Sequence, residues 1–214
     1  MNQIADRGWP VGTILGTESE LMATCNVSRS TFREAVRILE HLGCVRMREG
    51  RGGGLMVTAP EADPVTHAAA IYLRYHGVDT HSLHSARCTI ELDLVERVTN
   101  RMDSEMAEQL RLALEAENHL GEEGGIADAA VMSPVHRTIA TLADNEPLAM
   151  FARSLMELSD EYARPRLDRA DVAASRDAHV AIVDAMIRGD AATARRRMRI
   201  HLDAVERWMD GPSS

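Results

Sequence analysis

Between residues 17 and 57 a short capped helix, a tight turn, an arginine-striped helix and a glycine-tipped hairpin follow one another, and that order admits few folds. Thr17-Glu18-Ser19-Glu20 reads as a capping box, with Thr17 at the N-cap and Glu20 three residues on. Leu21, Met22 and Ala23 give this helix an apolar side, Cys25-Asn26-Val27 turns the chain, and Ser28 is placed to cap the next helix. From Arg29 to Leu42 the apolar residues Phe32, Ala35, Val36, Leu39 and Leu42 recur at three- and four-residue spacing and predict one buried face. Arg29, Arg33 and Arg37 recur every fourth residue and share the opposite face. Val45–Arg48 and Leu55–Val57 read as two strands joined by Glu49-Gly50-Arg51-Gly52-Gly53-Gly54. The pattern is that of a winged helix-turn-helix, a shape that lays its second helix in the DNA major groove.

The chemistry of the segment agrees with that shape. Helix N-termini offer free N–H groups and positive dipole ends to phosphates. Ser28, Ser30 and Thr31 crowd that end with hydroxyls, and Arg29 or Arg33 has the two-pronged donor set that fits guanine. Arg37, Arg51 and Gly52 complete the candidate DNA contacts, with the glycine run letting backbone approach a groove. The plainer reading, an arginine stripe that only solvates an amphipathic helix, fits the stripe alone but leaves the box, turn and wing unexplained. Glu49 near the wing tip would repel phosphate unless it points away.

These residues resemble the GntR family of bacterial transcription regulators. The resemblance lies in Gly12 to Ala23, in Asn26-Val27-Ser28-Arg29-Ser30-Thr31-Phe32-Arg33-Glu34-Ala35-Val36-Arg37-Ile38-Leu39-Glu40, and in Gly43-Cys44-Val45. One departure stands out: where the family carries an Arg that often touches DNA, this chain has Ser19. Winged domains of this family open with a full helix, for which only Met1 to Gly8 remain here. A start further upstream, or a longer parent polypeptide, is therefore expected.

Beyond Ala59-Pro60-Glu61-Ala62-Asp63-Pro64, which reads as a linker over 59–65, every segment is helical in pattern. Helices are expected at about 65–76, 80–100, 103–120, 127–143, 146–163, 172–188 and 191–209. The breaks fall at Gly77, at residues 121–125, near Arg164-Pro165 and at Gly189-Asp190. Aromatic residues make up only 3% of the chain, so the core must be aliphatic side chains interdigitating between helices. The fold class is mainly α: a winged domain over 1–58, then an antiparallel all-α bundle over 66–214.

Net charge is −9, yet residues 1–58 hold seven Arg against six acids, so the remainder carries −10. An acidic bulk beside a near-neutral head discourages indiscriminate DNA wrapping. Cys25, Cys44 and Cys88 show neither metal spacing nor a disulfide framework and read as small buried hydrophobes in a reducing cytoplasm. No stretch approaches the roughly 20 apolar residues that span a bilayer, and no signal peptide is evident.

Three histidines lie on or beside apolar helix faces: His136 with Val135, Ile139 and Leu142; His179 with Ile182, Val183 and Met186; His201 with Met198, Leu202 and Val205. Each read singly is a hydrogen-bonded core residue. Converging, they could bind zinc or nickel. Residues 80–209 resemble the FCD ligand-binding domain of the FadR subfamily of GntR regulators. The resemblance rests on Arg87-Cys88-Thr89-Ile90-Glu91, Val135-His136, Asn145-Glu146-Pro147-Leu148, Ala178 to Ala185, Gly189-Asp190 and Met198-Arg199-Ile200-His201-Leu202. Metal-binding members use an Asp one turn before the first of three histidines. The histidines match His136, His179 and His201, but the Asp position is Met132, and Asp128 lies a further turn back.

The resemblance thus implies either a three-imidazole metal site or a polar cavity that takes an organic acid directly. Arg87 would then grip a carboxylate, or else merely pair with Glu91 one turn on. Together these features imply a homodimeric regulator of a short palindromic operator, controlled by a small metabolite. Two other readings are a DNA-binding-impaired fragment or partner module of a longer regulator, and a metal-dependent enzyme. Against the last, no His-Glu-x-x-His motif or nucleophile–base pair is present.

Overall fold

The computed structural model describes residue 6 and residues 8–50, 52–60, 63–123, 133–163 and 167–210. They fall into two compact units, Met1–Val65 and Thr66–Ser214.

In the first unit, α1 (Glu18–Cys25) starts at the expected capping box, with Thr17 Oγ1 accepting from the Glu20 N–H and the Glu20 carboxylate accepting from the Thr17 N–H. Asn26 ends it in the left-handed conformation, at φ 51°. Asn tolerates that region because its short polar side chain bonds locally. Helix α2 (Arg29–His41) is capped by Ser28, whose hydroxyl accepts from the Thr31 N–H at 3.2 Å. Its buried stripe is narrower than the spacing predicts. Phe32 and Val36 are buried and Leu39 is half-buried, but Ala35 and Leu42 are exposed. The reason is angular: Phe32, Val36 and Leu39 face the hairpin and α1, whereas Ala35, Ile38 and Leu42 form a separate row one step round the helix.

Strands β1 (Val45–Arg48) and β2 (Gly54–Val57) pair antiparallel, Val45 opposite Val57 and Arg48 opposite Gly54. Residues 12–16 run along the other edge of β2, the Leu55 N–H donating to the Gly16 carbonyl and the Val57 N–H to that of Thr13. This revises the reading of the glycine run. A Cβ on Gly54 would lie 2.4 Å from the Gly16 carbonyl oxygen, and one on Gly53 would lie 2.2 Å from that of Arg48. Those two glycines serve the hairpin's own close packing, and only Gly50 and Gly52 face open space. Gly54→Ala is therefore expected to cost the winged unit about 1–3 kcal/mol, read from the denaturant midpoint of the full chain. An unshifted midpoint would show that the backbone contact relaxes freely.

Of the cysteines, Cys44 and Cys88 are buried as expected, but Cys25 is exposed, because it closes α1 at a solvent-facing turn.

Seven further helices follow among the described residues: α3 (Asp63–Tyr75), α4 (Thr80–Asn100), α5 (Ser104–Glu123), α6 (Pro134–Leu142), α7 (Glu146–Ala163), α8 (Arg169–Ile187) and α9 (Ala191–Asp210). Helix α3 begins inside the expected linker, with Pro64 in the first turn, where a missing N–H costs nothing. Helix α5 continues through Gly121 to Glu123, into the break expected at residues 121–125. The segment expected as 127–143 is described from Ser133, which caps α6 directly before Pro134. Helix α8 starts at Arg169 rather than at 172, because Asp168 caps it with a full capping box shared with Asp171.

Helix α4 is central. It packs against α6, α7, α8 and α9, and its Leu94, Val95 and Val98 are wholly buried. Around them Leu110, Val135, Ile139, Ile182, Val183, Met186, Met198 and Leu202 complete an aliphatic core. Among the described residues no helix is long and apolar enough to cross a membrane.

Candidate functional site

The three histidines reach one point from three helices. His136 sits in the first turn of α6, His179 mid-way along α8 and His201 mid-way along α9, all buried. Each Nε2 lies 3.1 Å from the other two, so the nitrogens form an equilateral triangle. The flanking apolar residues the sequence singled out, among them Val135, Ile139, Ile182, Val183, Met186, Met198 and Leu202, are the ones that pin these helix faces to the core.

Two carboxylates stand behind the imidazoles. His136 Nδ1 donates to Glu91 Oε2, and His179 Nδ1 donates to both oxygens of Glu117, at 2.8 and 2.9 Å. Ionised carboxylates only accept, so these bonds place the ring protons on Nδ1 and turn the Nε2 lone pairs into the triangle. Glu91 is buried, and burial would raise its pKa; Arg87 and His136 outweigh that and hold it at about 2. Burial pushes His179 below its ordinary range, against the pull of Glu117. Burial, then the two neighbouring rings and Arg87, keeps His201 well below its own, so it stays neutral.

A neutral His201 supplies at most one N–H to three edges, and the other edges are lone pair against lone pair. A cation resolves that repulsion. Three nitrogens about 2.0–2.1 Å from a common ion are separated by about 2.9 Å in octahedral and about 3.3 Å in tetrahedral geometry. The observed 3.1 Å lies between them. The donor set therefore fits a divalent transition ion. Met132 and Asp128, which bear on the fourth ligand, lie outside the described residues.

Glu117 escaped the sequence reading, although its signal was present. Leu110, Ala113 and Glu117 follow one another at three and four residues on α5, and the first two are core residues. A carboxylate on such a face calls for a partner.

Of the two sequence readings of Arg87, the structure shows the pair with Glu91. Its Nε donates to Glu91 Oε1 at 2.6 Å, with both side chains buried. Its Nη1 is buried and has no hydrogen-bond partner among the described residues. Arg87 also lines a cavity of about 40 Å³ shared with His136, His179, His201, Ser175 and Trp208. Such a volume holds an ion and two or three waters. An organic ligand would have to displace rim side chains.

In the winged unit, Ser28, Arg29, Ser30, Thr31 and Arg33 are exposed at or near the start of α2, Arg37 is exposed further along it, and Gly52 is exposed at the hairpin tip. The three hydroxyls cluster: Ser28 Oγ lies 2.9 Å from both Ser30 Oγ and Thr31 Oγ1. Arg29 Nε donates to Glu18 at 3.0 Å, and Arg37 pairs with Glu34 at 3.4 Å. Both pairs are largely solvated, the kind that contributes about 0–1 kcal/mol and yields readily to a phosphate. Arg51 lies outside the described residues.

Comparison with known proteins agrees with both halves. Residues 1–54 match the model of the bacterial regulatory proteins of the gntR family, and residues 82–204 match the FCD domain. The HTH-type transcriptional repressor NanR of Cronobacter sakazakii is 29% identical, over 94% of this chain and 79% of that protein. NanR of Escherichia coli is likewise 29% identical, over 94% and 78%. The solved structure of Streptococcus agalactiae GntR shares the fold with a TM-score of 0.66, at 22% identity over 96% of this chain and 94% of that one. Winged head, helical bundle and both family models lead to one conclusion: the chain belongs to the GntR family, as a DNA-binding transcription regulator with a C-terminal FCD domain.

Proposed function

We propose that this regulator is a repressor that binds a short palindromic operator as a homodimer and is controlled by an organic acid. The acid enters beside a divalent ion held by His136, His179 and His201. The observation that carries this reading is the continuity of the site: the unpartnered Arg87 Nη1, the Arg87–Glu91 pair, the Glu91–His136 bond and the imidazole triangle form one buried chain of contacts. When bound, the ion supplies positive charge and open coordination positions for a carboxylate. The residues do the rest. Glu91 and Glu117 fix the ring orientations, Arg87 offers a free donor to a carboxylate oxygen, and the aliphatic core excludes water. The repressors similar to this chain support the direction of control.

On the DNA side, Ser28, Ser30 and Thr31 present hydroxyls to phosphate while Arg33, exposed on α2, meets the duplex. Allosteric coupling of about 1–3 kcal/mol would change DNA affinity about 5–150-fold.

The test is fluorescence anisotropy of the full chain on DNA from upstream of its own coding region, across a range of salt. Arg33→Ala is expected to weaken binding and to reduce the slope of log K against log salt by about 0.9, one counterion-releasing contact. His179→Ala should bind DNA as wild type does but no longer respond to the organic acid that releases the wild type. An unchanged slope removes Arg33 from the interface. Release of the His179→Ala protein at wild-type acid concentrations overturns the effector site.

A further inference from the structure

Helix α4 carries a second pair of metal-ligating side chains, one residue out of step with Arg87 and Glu91. His84 and Cys88 stand one turn apart, both buried, with Cys88 Sγ 3.5 Å from His84 Nε2. Facing them on α9 are Asp203 and Glu206, three residues apart. His84 Nε2 lies 3.2 Å from Asp203 Oδ1 and 3.5 Å from Glu206 Oε2. The donor atoms of His84, Cys88 and Asp203 all lie within 4.8 Å of one another. We propose that His84, Cys88 and Asp203, with Glu206 beside them, form a second metal site that takes zinc or a similar thiolate-accepting divalent ion.

Three features carry this. The donors are one nitrogen, one sulfur and two oxygens, the set that borderline-soft transition ions prefer and that calcium and magnesium do not. The spacing fits: neighbouring ligands of a tetrahedral zinc site lie about 3.4–3.6 Å apart for N and S, given Zn–N of about 2.05 Å and Zn–S of about 2.3 Å. The route is open, because the Asp203 side chain is 43% exposed while His84 and Cys88 lie behind it. On each helix the site is separate from the imidazole triangle. Arg87 and Glu91 serve the triangle from α4 while His84 and Cys88 face Asp203, and on α9 His201 turns to the triangle while Asp203 turns to His84. Binding converts the Cys88 thiol to a thiolate–metal bond and releases one proton to solvent. The ion takes the place of the His84 ring as the partner of Asp203, while Glu206 keeps its 2.9 Å contact with His81.

The test is titration of the metal-stripped full chain with cobalt(II), read by absorbance and by stoichiometry. Wild type is expected to show a thiolate-to-cobalt charge-transfer band in the near ultraviolet and to bind one equivalent more than Cys88→Ser or Asp203→Asn. Both variants should lose that band; Asp203→Asn alters only a rim residue, so it guards against misfolding of the buried Cys88→Ser variant. Cobalt held by the three imidazoles gives no thiolate band, so failure of that site leaves this readout intact. A wild-type chain without the band, or a band that survives Cys88→Ser, overturns the proposal.

Discussion

Glu91→Ala is expected to lower the unfolding free energy of the protein by about 3–5 kcal/mol, the cost of breaking a buried ion pair by removing one partner. The loss is large because Glu91 answers two groups. Its departure strands the buried Arg87 guanidinium, whose Nη1 has no hydrogen-bond partner among the described residues, and frees His136 to rotate. Denaturant unfolding followed by circular dichroism measures it. The double variant Arg87→Met, Glu91→Leu should recover much of the loss, since it removes the orphaned charge and fills the space with apolar atoms. A single variant that loses less than about 1 kcal/mol would mean that water reaches Arg87.

His179→Ala is expected to abolish retention of a divalent ion by the imidazole triangle, and Glu117→Gln to weaken it about 10–100-fold. The two substitutions separate ligand from support. Alanine removes one of three converging nitrogens, whereas glutamine still accepts from His179 Nδ1 but no longer brings a charge that raises the basicity of the ring. Competition with a chromophoric chelator for zinc gives both affinities on chains purified without chelator. Equal zinc affinity in wild type and His179→Ala would show that the triangle is only a packed polar cluster.

Much of this was legible in the chain itself, for local reasons. Caps, turns and helix periods are written in residues three or four apart, so the Thr17 box, the Ser28 cap, the Asn26 turn and the helices after residue 63 could be read directly. The histidines were legible as a set through the FCD resemblance; each alone, on its apolar face, reads as a hydrogen-bonded core residue. The misses came from contacts between distant segments. Gly54 looked like a groove-facing glycine because nothing nearby shows that the Gly16 carbonyl packs on it. Glu117 looked like one more acid on an acidic helix because its partner stands 62 residues away on α8. Helix α5 ran past Gly121 because one glycine costs a helix only about 1 kcal/mol. The cluster of His84, Cys88, Asp203 and Glu206 was invisible for the same reason: its halves belong to the two ends of the helical unit and meet only where α4 lies along α9.

The pairing of Glu91 and Glu117 behind the imidazoles also sets an electrical balance for whatever enters. Among the described residues, the buried formal charges around the triangle are Arg87, Glu91 and Glu117, which sum to minus one while the rings are neutral. A doubly charged ion inverts that sum to plus one. The half-buried Asp160, Asp171 and Arg137 line the same cavity and add to the field that an entering anion meets.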